Sequence, residues 1–290
     1  MSWRTVVVSS SAKLDYQMGY LVVRKDTTVK VHINEISILI IETTAVSMTA
    51  ALISELIKKK VKVIFCDEKR NPVAELVPYY GAHDTSAKVK RQIEWGKDIK
   101  TAVWTEIVIE KIKKQKETLQ LFGKKEHQLL QQYIQEVEIG DVTNREGHAA
   151  KVYFNALFGK GFSRAEDSMI NAALNYGYSI ILSAFNREIS ANGYMTQFGL
   201  FHDNMFNSFN LASDLMEPFR VIIDRYVYQM VLSEFEKEQK MQIVNLLNKE
   251  VLIANRVETV NHAIKIYTKS IFDALEEKDT SLIKFYNYEL

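Results

Sequence analysis

VPYYGAHDT, Val77 to Thr85, divides the chain into two differently patterned halves. Before it lie short runs rich in β-branched and aromatic residues: Arg4–Val8, Tyr20–Arg24, Thr28–Ile33 and Ile36–Ile41. Such runs read as strands. Asn34-Glu35 is a short link consistent with a hairpin. Ser47 is placed to cap a helix over Met48–Lys60, whose three closing lysines suit a helix C-terminus. Val61–Cys66 and Val73–Val77 are further strand candidates. After the divide the 3.6-residue period takes over. It predicts a long helix from about Thr85 to Leu121, then helices near Glu126–Val137, Arg145–Phe158, Glu166–Ala191, Asp214–Glu236 and Val260–Glu276. The expected fold is α+β: a small β-rich N-terminal domain over 1–77, a linker over 78–86, and a larger all-α C-terminal domain over 87–290.

Composition agrees with two soluble domains. A length of 290 residues is about two domains' worth. Hydrophobic residues at 47% with 25% charged can build a sizeable core. A single cysteine, Cys66, rules out an intrachain disulfide and a Cys-rich zinc site. The N-terminal apolar run is too short for a signal peptide, and no run reaches the roughly 18–20 residues a membrane span needs. The expected location is the cytoplasm, with no membrane contact. A net charge of +1 does not by itself mark a nucleic-acid binder.

Three side chains stand out: Glu146, His202 and Glu217. Two carboxylates with one imidazole suit Mg²⁺ or Mn²⁺ and phosphodiester chemistry. Each also has a plain structural reading. Thr143-Asn144-Arg145-Glu146 fits S/T-x-x-E, so Glu146 can close a capping box. Yet Ala149, Ala150, Tyr153 and Leu157 share its helical face, which puts a carboxylate on an apolar stripe where it needs a partner. Asp214, Glu217 and Asp224 fall together opposite the stripe Leu215, Phe219, Ile222, Tyr226, Met230. Arg220 can pair with them to give a solvated, salt-bridged face; the alternative is a metal held from Asp214 or Glu217. Pro218 marks a helix start or kink at this point. His202 lies among phenylalanines and asparagines, either as a packed core residue or on a functional loop.

Lys88–Lys125 holds eleven Lys or Arg and five Asp or Glu. This stretch is a solvated helix face or a phosphate contact through lysines such as Lys111 and Lys114. Asn144, Arg145 and Arg220 are better phosphate candidates, because they adjoin the proposed metal ligands. There is no P-loop, dinucleotide fingerprint or G-x-S-x-G elbow. His83-Asp84 and His202-Asp203, with His148 and Asp224, loosely resemble the helical H-D-type phosphohydrolases.

At WRTVVV, VIFCDEKRNPVAELVPYYGAHD, NREGHAAKVYFNALFG and NSFNLASDLMEPFR with IIDRYVYQ, the chain resembles the integrase subunit of the CRISPR adaptation machinery. That protein is the CRISPR-associated endonuclease of spacer acquisition, and the details look like its type II-A branch. The resemblance covers nearly the whole chain. It implies a β N-terminal domain used in dimerisation and a helical catalytic domain. It assigns the Mg²⁺ or Mn²⁺ ligands to Glu146, His202 and Glu217, the last being aspartate in many members. Asp214 becomes an adjoining or alternative ligand. It further implies double-stranded DNA substrates (prespacer and repeat), a homodimer, and a heterohexamer with a small ferredoxin-like CRISPR-associated subunit, with other type II-A adaptation proteins as further candidate partners. The implied reaction is attack by a prespacer 3′-hydroxyl on a repeat phosphodiester. The competing expectations are a hydrolytic nuclease of branched DNA, an H-D-type phosphohydrolase, or a non-catalytic DNA scaffold.

Overall fold

A computed structural model describes residues 4–68, 70–76, 78, 82–230 and 234–288. Its organising element is β5, Ile36–Ile41, in which all six residues are buried. β1 (Arg4–Val8) and β7 (Lys62–Cys66) run parallel to it on either side, and β8 (Pro72–Glu75) closes that sheet antiparallel to β7. A strand covered on both faces needs an unbroken apolar run, and Ile-Ser-Ile-Leu-Ile-Ile supplies one. Leu39 and Ile41 point to a core shared with Val8, Val63 and Leu52 and Leu56 of α1 (Ala50–Lys58). Ile38, Ile40, Ile64 and Cys66 belong instead to the core that the later helices build. The single polar residue of the strand, Ser37, accepts a hydrogen bond from Asn261 Nδ2 at 3.0 Å.

The second sheet has the order β4 (Thr28–His32), β3 (Tyr20–Arg24), β2 (Ala12–Gln17), β6 (Val46–Met48). β2 is not among the expected strands, although Ala12, Leu14 and Tyr16 alternate with Lys13, Asp15 and Gln17 as a half-buried strand should. A two-residue turn with positive φ at Met18 and Gly19 joins it to β3, the geometry that hairpins favour. The expected hairpin at Asn34-Glu35 is corrected. β4 and β5 lie in different sheets, and residues 33–35 form a 3₁₀ turn carrying the chain between them. Ser47 lies in β6, so the cap of α1 is Thr49, which accepts from Leu52 N.

The long helix expected to end at Leu121 is two: α2 (Thr85–Glu94) and α3 (Lys97–Leu121). Trp95 leaves helical geometry at the break and packs its ring on Tyr194 and Phe272, with centroids 5.2 and 6.2 Å away. α2 already begins inside the span read as a linker; Val77 and residues 79–81 lie outside the described residues. α4 (His127–Gln135), α5 (Arg145–Phe158) and α6 (Met169–Ala191) follow near their expected places. The helix expected over Asp214–Glu236 is instead α7 (Asn210–Leu215) and α8 (Glu217–Gln229), parted at Met216; residues 231–233 lie outside the described residues.

After α9 (Lys237–Val244) come β9 (Glu250–Ile253), β10 (Arg256–Thr259), α10 (Val260–Glu277) and β11 (Tyr286–Asn287). The three strands form an antiparallel sheet of order β10-β9-β11, so the expectation of an all-α second half is corrected. Strands this short leave almost no periodicity to read. Among the described residues, no helix is long and apolar enough to cross a membrane.

Candidate active site

α3 runs through the helical core with buried residues on every side, including Glu110, Lys111, Lys114, Gln115 and Thr118. A solvated lysine face is therefore wrong for this part of the helix. Lys114 is 1% exposed and is held by Glu110, Glu117 and Asn287, with Tyr286 under its ammonium. Buried and paired in this way, Lys114 presents no free ammonium for the phosphate contact expected of it. Lys111 is buried too, and its ammonium lies between two of the three sequence-marked acids. It donates to Glu217 Oε2 at 2.5 Å and to Glu146 Oε1. Lys111 sits one helical turn from Ile107 and Val108, and Lys114 two turns from Ile107, the same apolar-stripe signal that marks Glu146.

Glu146 stands in the first turn of α5. The capping box expected from Thr143 does not form. Asn144, in left-handed geometry with φ 52°, is the cap and accepts from Gly147 N. Asp141 accepts from the backbone N–H groups of Arg145 and Glu146 at 2.7 and 3.0 Å. With the orphan amides taken by Asp141 and Asn144, the Glu146 carboxylate is released toward Lys111. Arg145 turns to α4, pairing with Glu136 at 3.2 Å over the Tyr133 ring.

Glu217 is the first residue of α8, followed by Pro218, which is favoured there because its missing N–H would be unpaired anyway. The charged side of α8 is not solvated: Asp214, Glu217 and Asp224 are all buried. Glu217 pairs through its other oxygen with Arg220 Nε at 3.1 Å, and Arg220 lies 4.8 Å over the Tyr178 ring. Burial would raise the Glu217 carboxyl, but Arg220 and Lys111 outweigh it and hold the group below its usual range. Burial would lower the Lys111 ammonium, but Glu217 and Glu146 outweigh it and raise it. Tyr286 of β11 is fully buried behind this turn, stacks near Phe219 and donates its hydroxyl to the Pro218 carbonyl at 3.1 Å.

His202 is on the loop between α6 and α7. Asp214 builds that loop: its carboxylate accepts from the backbone N–H groups of Leu200, Phe201 and His202 at 2.6, 3.1 and 3.1 Å. It also bonds His202 Nδ1 at 2.5 Å. A carboxylate on one ring nitrogen fixes the tautomer and leaves Nε2 as the basic atom. Asp214 raises the His202 pKa through that bond, against the opposing effect of burial. Gly199 is required for this closure, since a Cβ there would lie 2.2 Å from the His202 carbonyl oxygen and 2.8 Å from Asp214 Oδ2. The ring stands edge-on to Trp104, on which Phe201 stacks at 4.6 Å. A groove of about 660 Å³ opens beside it, lined by Lys97, Lys100, Trp104, Phe198, Phe201 and His202 among others.

Asp224 lies one layer deeper and takes the hydroxyl hydrogen bond of Tyr178. Burial raises its carboxyl to about 7, against the lowering pull of Tyr178, Lys111, Arg220 and Arg164. The folded chain therefore holds this proton more tightly than the unfolded one. Its contribution to stability is full below about pH 4 and is lost as pH rises through about 7. Asp224→Asn is expected to flatten that decline, gaining on the order of 1–3 kcal/mol over the parent at pH 8 relative to pH 5. Urea unfolding at both pH values measures it; parallel pH profiles for the two chains would refute the assignment.

Among the described residues, no three His, Cys, Asp or Glu side chains are gathered closely enough to hold an ion as they stand. The donor set nonetheless suits a hard divalent cation. Two carboxylates already converge on one positive centre, the Lys111 ammonium, and a tautomer-fixed imidazole adds to the charge field around them. The H-D set is not assembled: His148 lies against Tyr133, and Asp224 is bound to Tyr178.

The helical half thus brings together two acids, from α5 and α8, and an oriented histidine from the loop between α6 and α7. Residues 5–253 match the family described as CRISPR associated protein Cas1, and the chain belongs to that family. It is 30% identical over 291 residues to the CRISPR-associated endonuclease Cas1 of Neisseria meningitidis serogroup C (strain 8013), covering 98% of this chain and 96% of that one. Its fold is similar to a casposase bound to integration product, with TM-score 0.77 and 19% identity over 97% of this chain and 93% of that one. It is also similar to a chain of a Cas6-RT-Cas1–Cas2 complex, with TM-score 0.73 and 19% identity. It covers 97% of itself but spans only 36% of that longer chain.

Proposed function

We propose that this chain is a metal-dependent DNA strand-transferase of CRISPR adaptation, joining prespacer 3′-ends to the repeat. The observation that carries the reading is the convergence of Glu146 and Glu217 on one cation position, in the charge field of a histidine whose tautomer is set by Asp214. Glu146, His202 and Glu217 would hold Mg²⁺ or Mn²⁺. The bound ion would supply Lewis-acid polarisation of the phosphate and a lowered pKa for the attacking hydroxyl. The protein's own groups do the rest. Asp214 holds His202 through Nδ1, so that in the neutral ring Nε2 is the atom left to ligate, and Arg220 holds the buried Glu217.

Phosphate contact was expected of Asn144, Arg145, Arg220, Lys111 and Lys114; Lys111 and Lys114 are buried in ion pairs, and Lys97 and Lys100 in the groove beside His202 join the candidates. Family membership and the likeness to a chain of a Cas6-RT-Cas1–Cas2 complex support another Cas protein as partner. Double-stranded DNA, a homodimer and a heterohexamer with a small ferredoxin-like subunit belong to the proposal and rest on the sequence resemblance. The type II-A assignment rests on the sequence motifs alone. The name of the Neisseria relative favours hydrolytic cutting as the second reading.

A donor DNA with 3′-dideoxy ends separates the two. Transesterification needs the 3′-hydroxyl, so joined product should vanish with that donor. Joined product that persists, or cuts without any joining from a normal donor, would sink the strand-transfer reading.

A further inference from the structure

We propose that Lys111 is the resident counter-cation of this centre, and that a divalent ion enters only by displacing its ammonium. The inference rests on the metal reading above and adds what the chain itself does before loading. The Lys111 ammonium occupies the space between Glu146 and Glu217, bonded to one oxygen of each. Two carboxylates this close repel unless a cation lies between them. Lys111 supplies that charge from within the core, where solvent cannot.

The neighbouring cation cannot substitute. Arg220 reaches only the far oxygen of Glu217, and its guanidinium is fixed over the Tyr178 ring. Lysine differs in kind, being a compact charge on a flexible four-carbon stem that can swing without unpacking the helix. Adding a dication to a pair already neutralised by an ammonium places like charges in contact, so ion and ammonium exclude each other. Lys111 thus keeps the empty centre folded and also sets the concentration at which metal enters.

The test is Mn²⁺ titration calorimetry on the full chain at pH 8.0, where the carboxylates are ionised. Lys111→Met should bind Mn²⁺ about tenfold more tightly than the parent. Its melting temperature should fall without metal and recover when Mn²⁺ is added. Unchanged or weaker Mn²⁺ affinity in Lys111→Met overturns the inference. If the variant does not fold in either condition, the native chain decides: acetylation of Lys111, read by mass spectrometry, should quicken when Mg²⁺ is present. Equal or slower modification with Mg²⁺ overturns it. The underlying reading fails separately, and takes the inference with it, if the parent binds no Mn²⁺ or if Glu146→Gln binds it as tightly as the parent.

Discussion

Glu146→Gln is expected to fold, bind duplex DNA and join no DNA ends. The side chain is 27% exposed at the mouth of the centre, so losing its charge costs the fold little. Lys111 retains Glu217 as its partner, and the helix caps at Asn144 and Asp141 do not involve the Glu146 side chain. What is lost is one of two carboxylates that a cation can bridge. A strand-transfer rate at least about 10³-fold lower is expected, equal to roughly 4 kcal/mol of transition-state stabilisation. Labelled-oligonucleotide joining, filter binding and a thermal melt on the same preparation measure all three outcomes. Joining within tenfold of the parent would remove Glu146 from the chemistry. Lost duplex binding would recast it as a structural residue.

Asp214→Ala should be the most damaging single change for fold and activity together. The carboxylate is fully buried and accepts three backbone N–H groups in addition to the histidine ring. Each buried donor left without an acceptor costs about 1–3 kcal/mol. Solvent entering the loop offsets part of that, leaving roughly 3–5 kcal/mol of destabilisation by urea unfolding. His202 would also lose its tautomer control, so joining should fall by at least about 10²-fold. Asp214→Asn keeps one carbonyl oxygen and should recover part of the stability but little of the activity. Equal effects of the two variants on both measurements would show that Asp214 only fills space.

The sequence carries the parts of this molecule that depend on local pattern. β5 is legible because six consecutive apolar or small residues can only be covered on both faces. α5 is legible from end to end because a period of 3.6 and the glycine at 159 bracket it. Partner choice is not local, so nothing in Asn34-Glu35 says that the chain changes sheets there. The break at Gly96 is set by Tyr194 and Phe272, distant in the chain, which take Trp95. The same holds at the centre. Glu146 was marked by its place on an apolar stripe, and Lys111 carried the same mark unread beneath a run of lysines that looked solvated. Asp214 could be seen as a neighbour of the ligands. Its grip on three amides of a loop twelve to fourteen residues earlier could not.

Tyr286, whose hydroxyl meets the Pro218 carbonyl, makes this centre late to mature during synthesis. Lys111, Glu146, His202 and Glu217 are all polymerised about seventy residues or more before Tyr286, their buttress. A nascent chain at that stage owns every charged group of the site, yet lacks the strand that backs the Glu217 turn. Any extension or cut near β11 is therefore an alteration of the reaction centre, however far from Glu217 it looks on the linear map.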